Sequence, residues 1–242
     1  AQTVKPFKEG ERAVFLGNSI TDAGHYHSYI WLYYMTRFPD MPIRVFNGGI
    51  GGDTAYDMNK RLDGDIFAMK PSVLMVTFGM NDSGYFEYNG DKPKEFGEQK
   101  YQESIKNYQQ MEKRFKDLPD TRIVMVGTSP YDETVQLKEN TPFKTKNETI
   151  KRLVEYQQES AAKNNWEFTD LNAPMTAINQ QYQQKDPTFT LCGSDRIHPD
   201  NDGHMVMAYL FLKAQGFVGK EVADMEINAN KKQAVKSENC TV

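Results

Sequence analysis

Short apolar runs, each followed by a longer amphipathic or polar stretch, are the feature that most restricts how this chain can fold. The runs are Ala13–Leu16, Ile43–Phe46, Val73–Phe78, Ile123–Val126 and Trp166–Phe168. Such alternation is the signature of repeated β-α units around a mostly parallel sheet. Val73–Phe78 is apolar enough to be a central strand covered on both faces. Helices are predicted over Tyr29–Phe38, over Ala55–Lys70 with Pro71 as the stop, and over Tyr101–Lys116, Lys146–Lys163 and Asn201–Gln215. The expectation is an α/β domain with a five-stranded parallel sheet.

Two stretches fit no regular element. Asp82–Gly97 and Pro130–Thr145 combine Gly, Pro, Asn and aromatic residues, and both follow predicted strand ends. Loops this long in a compact domain often shape a site. The chain beyond Gly219 lacks an apolar stripe, so residues 1–218 are expected to form the domain and 219–242 a peripheral helix or linker.

Charge and composition exclude some roles. A formal net charge of −4 gives no broad attraction to phosphate backbones, so nucleic acid is not an expected partner. No apolar run approaches the roughly 20 residues of a spanning helix, so membrane insertion is not expected. Cys192 and Cys240 match no metal-binding spacing and fit a disulfide or two free thiols equally well. The opening Ala1-Gln2-Thr3 fits export after cleavage of a signal peptide. Oligomeric state is not legible.

In an open α/β sheet, reacting groups gather beyond the carboxyl ends of the strands. The first three predicted strands run into Gly17-Asn18-Ser19-Ile20-Thr21-Asp22, into Asn47–Thr54 and into Gly79-Met80-Asn81-Asp82. A fourth cluster, Asp195-Arg196-Ile197-His198-Pro199, precedes the last predicted helix. A serine hydroxyl needs a base to become a nucleophile, and the base works best when a carboxylate fixes its tautomer. Ser19, His198 and Asp195 supply those parts. The tetrahedral intermediate also needs donors for its oxyanion, which the Ser19 amide, a glycine amide of the second cluster and the Asn81 side chain can provide. No cofactor is expected. The glycine cluster lacks the Gly-Lys-Ser/Thr ending of a P-loop and does not complete the dinucleotide pattern.

These four clusters, in this order, resemble the conserved blocks of the SGNH (GDSL-like) hydrolases. The resemblance covers roughly Glu11–Gln215 and places Ser19 at the nucleophile position, Gly52 and Asn81 at the oxyanion positions, and Asp195 and His198 in the last block. The family usually has Asp where this chain has Asn18. The resemblance implies a three-layer α/β/α sandwich with a flavodoxin-like sheet and hydrolysis of a small acyl ester, acetyl above all, on carbohydrate. A lysophospholipase or thioesterase, and a non-catalytic glycan-binding module, are the alternatives.

Asn18, Tyr85 and Tyr88 are the candidates for substrate contact. His25 and His27 invite a metal reading with Asp22, but an alternating histidine pair is weak evidence and no metal is expected. His204 is expected to pack on the last helix, Asp53 and Asp82 to hold loops by hydrogen bonds, and the Tyr29–Tyr34 aromatics to belong to the core.

Overall fold

The computed structural model describes residues 2–241; Ala1 and Val242, the outer ends of the two predicted segments, lie outside it. Five parallel strands, β1 (Arg12–Gly17), β2 (Arg44–Gly49), β3 (Val73–Val76), β4 (Arg122–Gly127) and β5 (Glu167–Asp170), pair in the order β2-β1-β3-β4-β5. Alternate residues of the central strands feed two separate cores. Ala13, Phe15, Val73, Met75, Val124 and Val126 pack on one side; Val14, Leu16, Leu74, Val76, Ile123 and Met125 pack on the other. That two-sided burial is why these runs are apolar throughout.

Helices α2 (Tyr26–Arg37) and α7 (Asn201–Ala214) cover the first side through Ile30, Tyr34, Met207 and Phe211. The other side carries α3 (Ala55–Lys60) and α4 (Pro93–Lys116), with Met58, Tyr108, Met111 and Phe115 turned inward. Helix α5 (Lys146–Asn164) lies against α4, and the short α1 (Ser19–Asp22) sits at the end of β1. The result is the expected three-layer α/β/α sandwich.

The strand order reverses between β1 and β3, so the loops leaving their carboxyl ends diverge and open a crevice. Those loops carry Ser19 and Asn81, and β2 delivers Gly52 to the same edge.

Several expectations need correction. The helix predicted over Ala55–Lys70 ends at Lys60 and gives way to a π turn (Leu62–Ile66) and a 3-10 turn (Phe67–Met69), because Arg61 leaves helical geometry (φ −109°, ψ 7°). Helix α4 begins at Pro93, inside the stretch read as a loop, since proline suits a first helical turn where its missing N–H costs nothing. Helix α6 (Asn172–Gln183) was not anticipated. Where a peripheral helix or linker was expected, the tail forms an antiparallel hairpin of β6 (Asp224–Asn228) and β7 (Gln233–Glu238). Cys192 is buried, and both cysteines are free thiols. No helix among the described residues is long and apolar enough to cross a membrane.

Candidate active site

The turn after β1 is built for close packing. Asn18 caps α1 by accepting the Ile20 N–H at 3.1 Å, which leaves Ser19 as the first helical residue with its own N–H unpaired among the described residues. Helix α1 presses on the end of β2 so closely that a Cβ at Gly49 would lie 2.2 Å from the Asp22 nitrogen. Part of the glycine-rich cluster therefore serves packing. Gly52, at φ +83°, adopts the left-handed conformation and keeps its N–H exposed and unpaired among the described residues.

Ser19 Oγ lies 2.7 Å from His198 Nε2, and His198 Nδ1 lies 2.6 Å from Asp195 Oδ2. Asp195 Oδ1 accepts the Ile197 and His198 amides at 2.9 and 2.8 Å, which fixes the carboxylate in the turn. An ionised carboxylate can only accept, so Nδ1 carries the proton and Nε2 is left to receive one from Ser19. Burial alone would raise the Asp195 carboxyl, but the hydrogen bonds from His198 and Ile197 hold it below the usual range. The same hydrogen bond from Asp195 raises the His198 imidazole, with its partial burial opposing.

Arg196, between them, has a positive φ of +69° and is 2% exposed. Its guanidinium donates to the carbonyls of Asp132, Val135 and Asn140 and to Asn140 Oδ1, while its own carbonyl accepts the Asp132 amide. These bonds tie the turn to the 130–145 loop and offset the strain of the left-handed backbone.

Other bonds stitch the first three blocks together. Arg61 donates to Asp53 Oδ2 at 2.6 Å and to the carbonyls of Gly17 and Gly48. Asp82 accepts the Ala55 and Gly79 amides at 2.7 and 2.8 Å, and burial pushes its carboxyl up to about 6. Asn81 Nδ2 donates to the Asp53 carbonyl at 2.9 Å. Asp53 and Asp82 thus hold loops, as expected. Both partners of the Arg61–Asp53 pair are nearly buried, 13% and 10% exposed at the side chain. Arg61→Met is therefore expected to destabilise the protein by about 3 kcal/mol, because it leaves a buried carboxylate without its partner and takes a donor from the Gly17 and Gly48 carbonyls. Urea unfolding should show a lower midpoint with an unchanged slope.

Of the three residues proposed for substrate contact, two are committed elsewhere. Asn18 is buried as a cap, and Tyr88 is 2% exposed, its hydroxyl donating to the Ser83 carbonyl and accepting from Thr149 Oγ1. Tyr85 is partly buried, and its hydroxyl donates to Asn81 Oδ1. His27 is buried with Nε2 on the Thr21 carbonyl. His204 stacks on Tyr26 and accepts the Tyr26 amide through Nδ1, and burial followed by neighbouring histidines pushes it down to about 4. Among the described residues no cluster of His, Cys, Asp or Glu is arranged to hold a metal ion. A polar cleft of about 610 Å³ opens beside His198, lined by Ile20, Ala23, His25, Asp200, Asn201 and His204 among others. Arg61, Arg196 and Lys146 were missed in the sequence, where a lone basic residue looks like solvated surface.

Residues 15–206 match the model of the GDSL-like Lipase/Acylhydrolase family. The chain is 27% identical over 224 residues to an acetylxylan esterase of Geobacillus stearothermophilus, across 86% of this chain and 95% of that one. A crystal structure of an acetylxylan esterase from the same organism superposes with a TM-score of 0.67 at 24% identity, over 87% of this chain and 96% of that one. A solved gut microbial diltiazem-metabolizing enzyme is 84% identical with a TM-score of 0.95, over 99% of this chain. The match covers 54% of that enzyme, so this chain spans about half its length.

Proposed function

The chain belongs to the GDSL-like lipase/acylhydrolase family, the SGNH hydrolases, and from that membership we propose that it is a serine esterase that removes acetyl groups from carbohydrate through Ser19, His198 and Asp195. The observation that carries the reading is the unbroken hydrogen-bond series from hydroxyl to imidazole to carboxylate at the carboxyl edge of the sheet. His198 takes the Ser19 proton as Oγ attacks the ester carbonyl. The unpaired amides of Ser19 and Gly52, with the Asn81 side chain, hold the resulting oxyanion. The tetrahedral intermediate then collapses, and His198 returns the proton to the departing alcohol. Water attacks the acyl-enzyme by the same route in reverse, releasing acetate and free Ser19.

Two considerations favour a small acyl group on a polar alcohol. One relative is named for acetylxylan. Besides Ile20, Ala23 and Pro199, the cleft beside His198 is lined by imidazoles, carboxylates and Asn201, which suits hydroxyl-rich or charged leaving groups.

Acetyl, butyryl and longer p-nitrophenyl esters test the acyl preference, and acetylated xylo-oligosaccharides and diltiazem test the alcohol. The expected result is that kcat/KM falls as the acyl chain lengthens and that acetate is released from the oligosaccharides. A preference for long chains would favour a lysophospholipase or thioesterase instead, and activity confined to diltiazem would overturn the carbohydrate assignment.

A further inference from the structure

An oxyanion donor must present an N–H that no protein group has taken, in a direction that does not wander. A free asparagine side chain meets the first demand but not the second, because its carboxamide rotates and its two ends look alike to many partners. Asn81 is restrained on both ends. The Asp53 carbonyl, which can only accept, faces Nδ2 at 2.9 Å, so the nitrogen belongs there and the oxygen faces Tyr85, whose hydroxyl donates to it. A flipped carboxamide would set two carbonyl oxygens against each other. One N–H is therefore spent on Asp53 and the second remains.

Tyr85 is itself held. Phe143 meets its ring edge-on at 5.9 Å between centroids, and Lys146 Nζ sits 3.9 Å from the ring centre. Lys146 is fully buried, and Nζ donates to the Met80 carbonyl, Ser83 Oγ and the Gly84 carbonyl, each at 2.6 Å. Three donors meet three acceptors, and those acceptors flank Asn81 on both sides along the chain. A buried ammonium is a costly way to fill space, since an apolar side chain of similar volume is often neutral or better. Its position under the ring and across the loop gives it another use.

We propose that Tyr85 and Lys146 are positioning residues that lock the Asn81 carboxamide in one orientation, with its second N–H kept for the oxyanion. The inference rests on the serine-esterase reading above and on the role of Asn81 within it. Lys146 fixes the backbone on either side of Asn81 and the plane of the Tyr85 ring; the Tyr85 hydroxyl fixes the carboxamide.

A double-mutant cycle with p-nitrophenyl acetate tests it. Asn81→Ala is expected to lower kcat by about 100-fold, the effect of losing one oxyanion donor. Tyr85→Phe, which removes only a hydroxyl, is expected to lower kcat by about fivefold, with KM little changed. In the Asn81→Ala background, Tyr85→Phe should leave kcat almost unaltered, because the group it positions is gone. Lys146→Met and Lys146→Gln enter the same cycle, so that a folded variant is at hand, and should show the same dependence on Asn81. Losses that multiply independently of Asn81, or a rise in KM with kcat intact, would overturn the proposal. The second pattern would return Tyr85 to direct substrate contact. Ser19→Ala separates the two levels: if it stays active the esterase reading itself fails, whereas if it is inactive and the cycles are additive only the clamp fails.

Discussion

Replacing Ser19 by alanine is expected to lower kcat for p-nitrophenyl acetate by roughly five to six orders of magnitude while leaving thermal unfolding almost unchanged. Both halves follow from where the hydroxyl sits. Ser19 Oγ is paired with His198 Nε2 across 179 residues of chain and supports nothing else by hydrogen bonding among the described residues. Asn18, not Ser19, caps α1, so the helix keeps its cap, and alanine is at home in a first helical turn. A partly exposed hydroxyl removed from such a place usually shifts stability by less than about 0.5 kcal/mol. The kinetic loss is large because nothing else in the site supplies an activated oxygen, and the oxyanion donors alone give only the residual rate. The result also divides the esterase from a glycan-binding module of the same fold, for which Ser19→Ala would leave sugar affinity intact and there would be no hydrolysis to lose. An alanine variant as active as the parent would remove Ser19 from the chemistry.

What the sequence disclosed about this site depended on whether a residue's role is local. The strand runs were legible because burial on both faces makes every position apolar, and Val73–Val76 answers that expectation directly. Ser19, Asp195 and His198 were legible because each sits in a short cluster at a strand end or helix start, and they meet as the parallel topology requires. Tyr88 misled because an aromatic in a loop after the third block looks like a substrate platform, whereas its hydroxyl is consumed inside the fold. Arg196 and Lys146 left no mark. Their partners lie 56 to 66 residues away in the chain and are mainly backbone carbonyls, which every residue type possesses. No side-chain pattern announces such a bond. The hairpin at the tail was hidden for a different reason: its strands are largely exposed, so they lack the apolar alternation that marks a half-buried strand.

Asp195→Asn separates tautomer control from charge, and the expected loss in kcat is about 1,000- to 10,000-fold. In the parent, Oδ1 accepts the Ile197 and His198 amides while Oδ2 takes the proton-bearing Nδ1 of His198. Asparagine can satisfy the two amides only with its oxygen, so its NH₂ group must face Nδ1. A donor there forces Nδ1 to accept, which moves the ring proton to Nε2, opposite Ser19 Oγ. The imidazole can then no longer take the serine proton. Simple loss of charge is the smaller effect, because the His198 and Asp195 side chains are 49% and 45% exposed and water screens their attraction. The pH profile supplies an independent reading. Catalysis needs neutral His198, and the hydrogen bond from Asp195 raises its pKa, so the parent's kcat/KM should fall as pH drops through a value above the ordinary histidine range. In the asparagine variant that acid limb should move to lower pH, since the group that favours the protonated ring is gone. The backbone amides keep their acceptor, so the turn and the fold should survive. A loss of only a few-fold with an unmoved limb would reduce Asp195 to a turn residue and leave His198 to act without it.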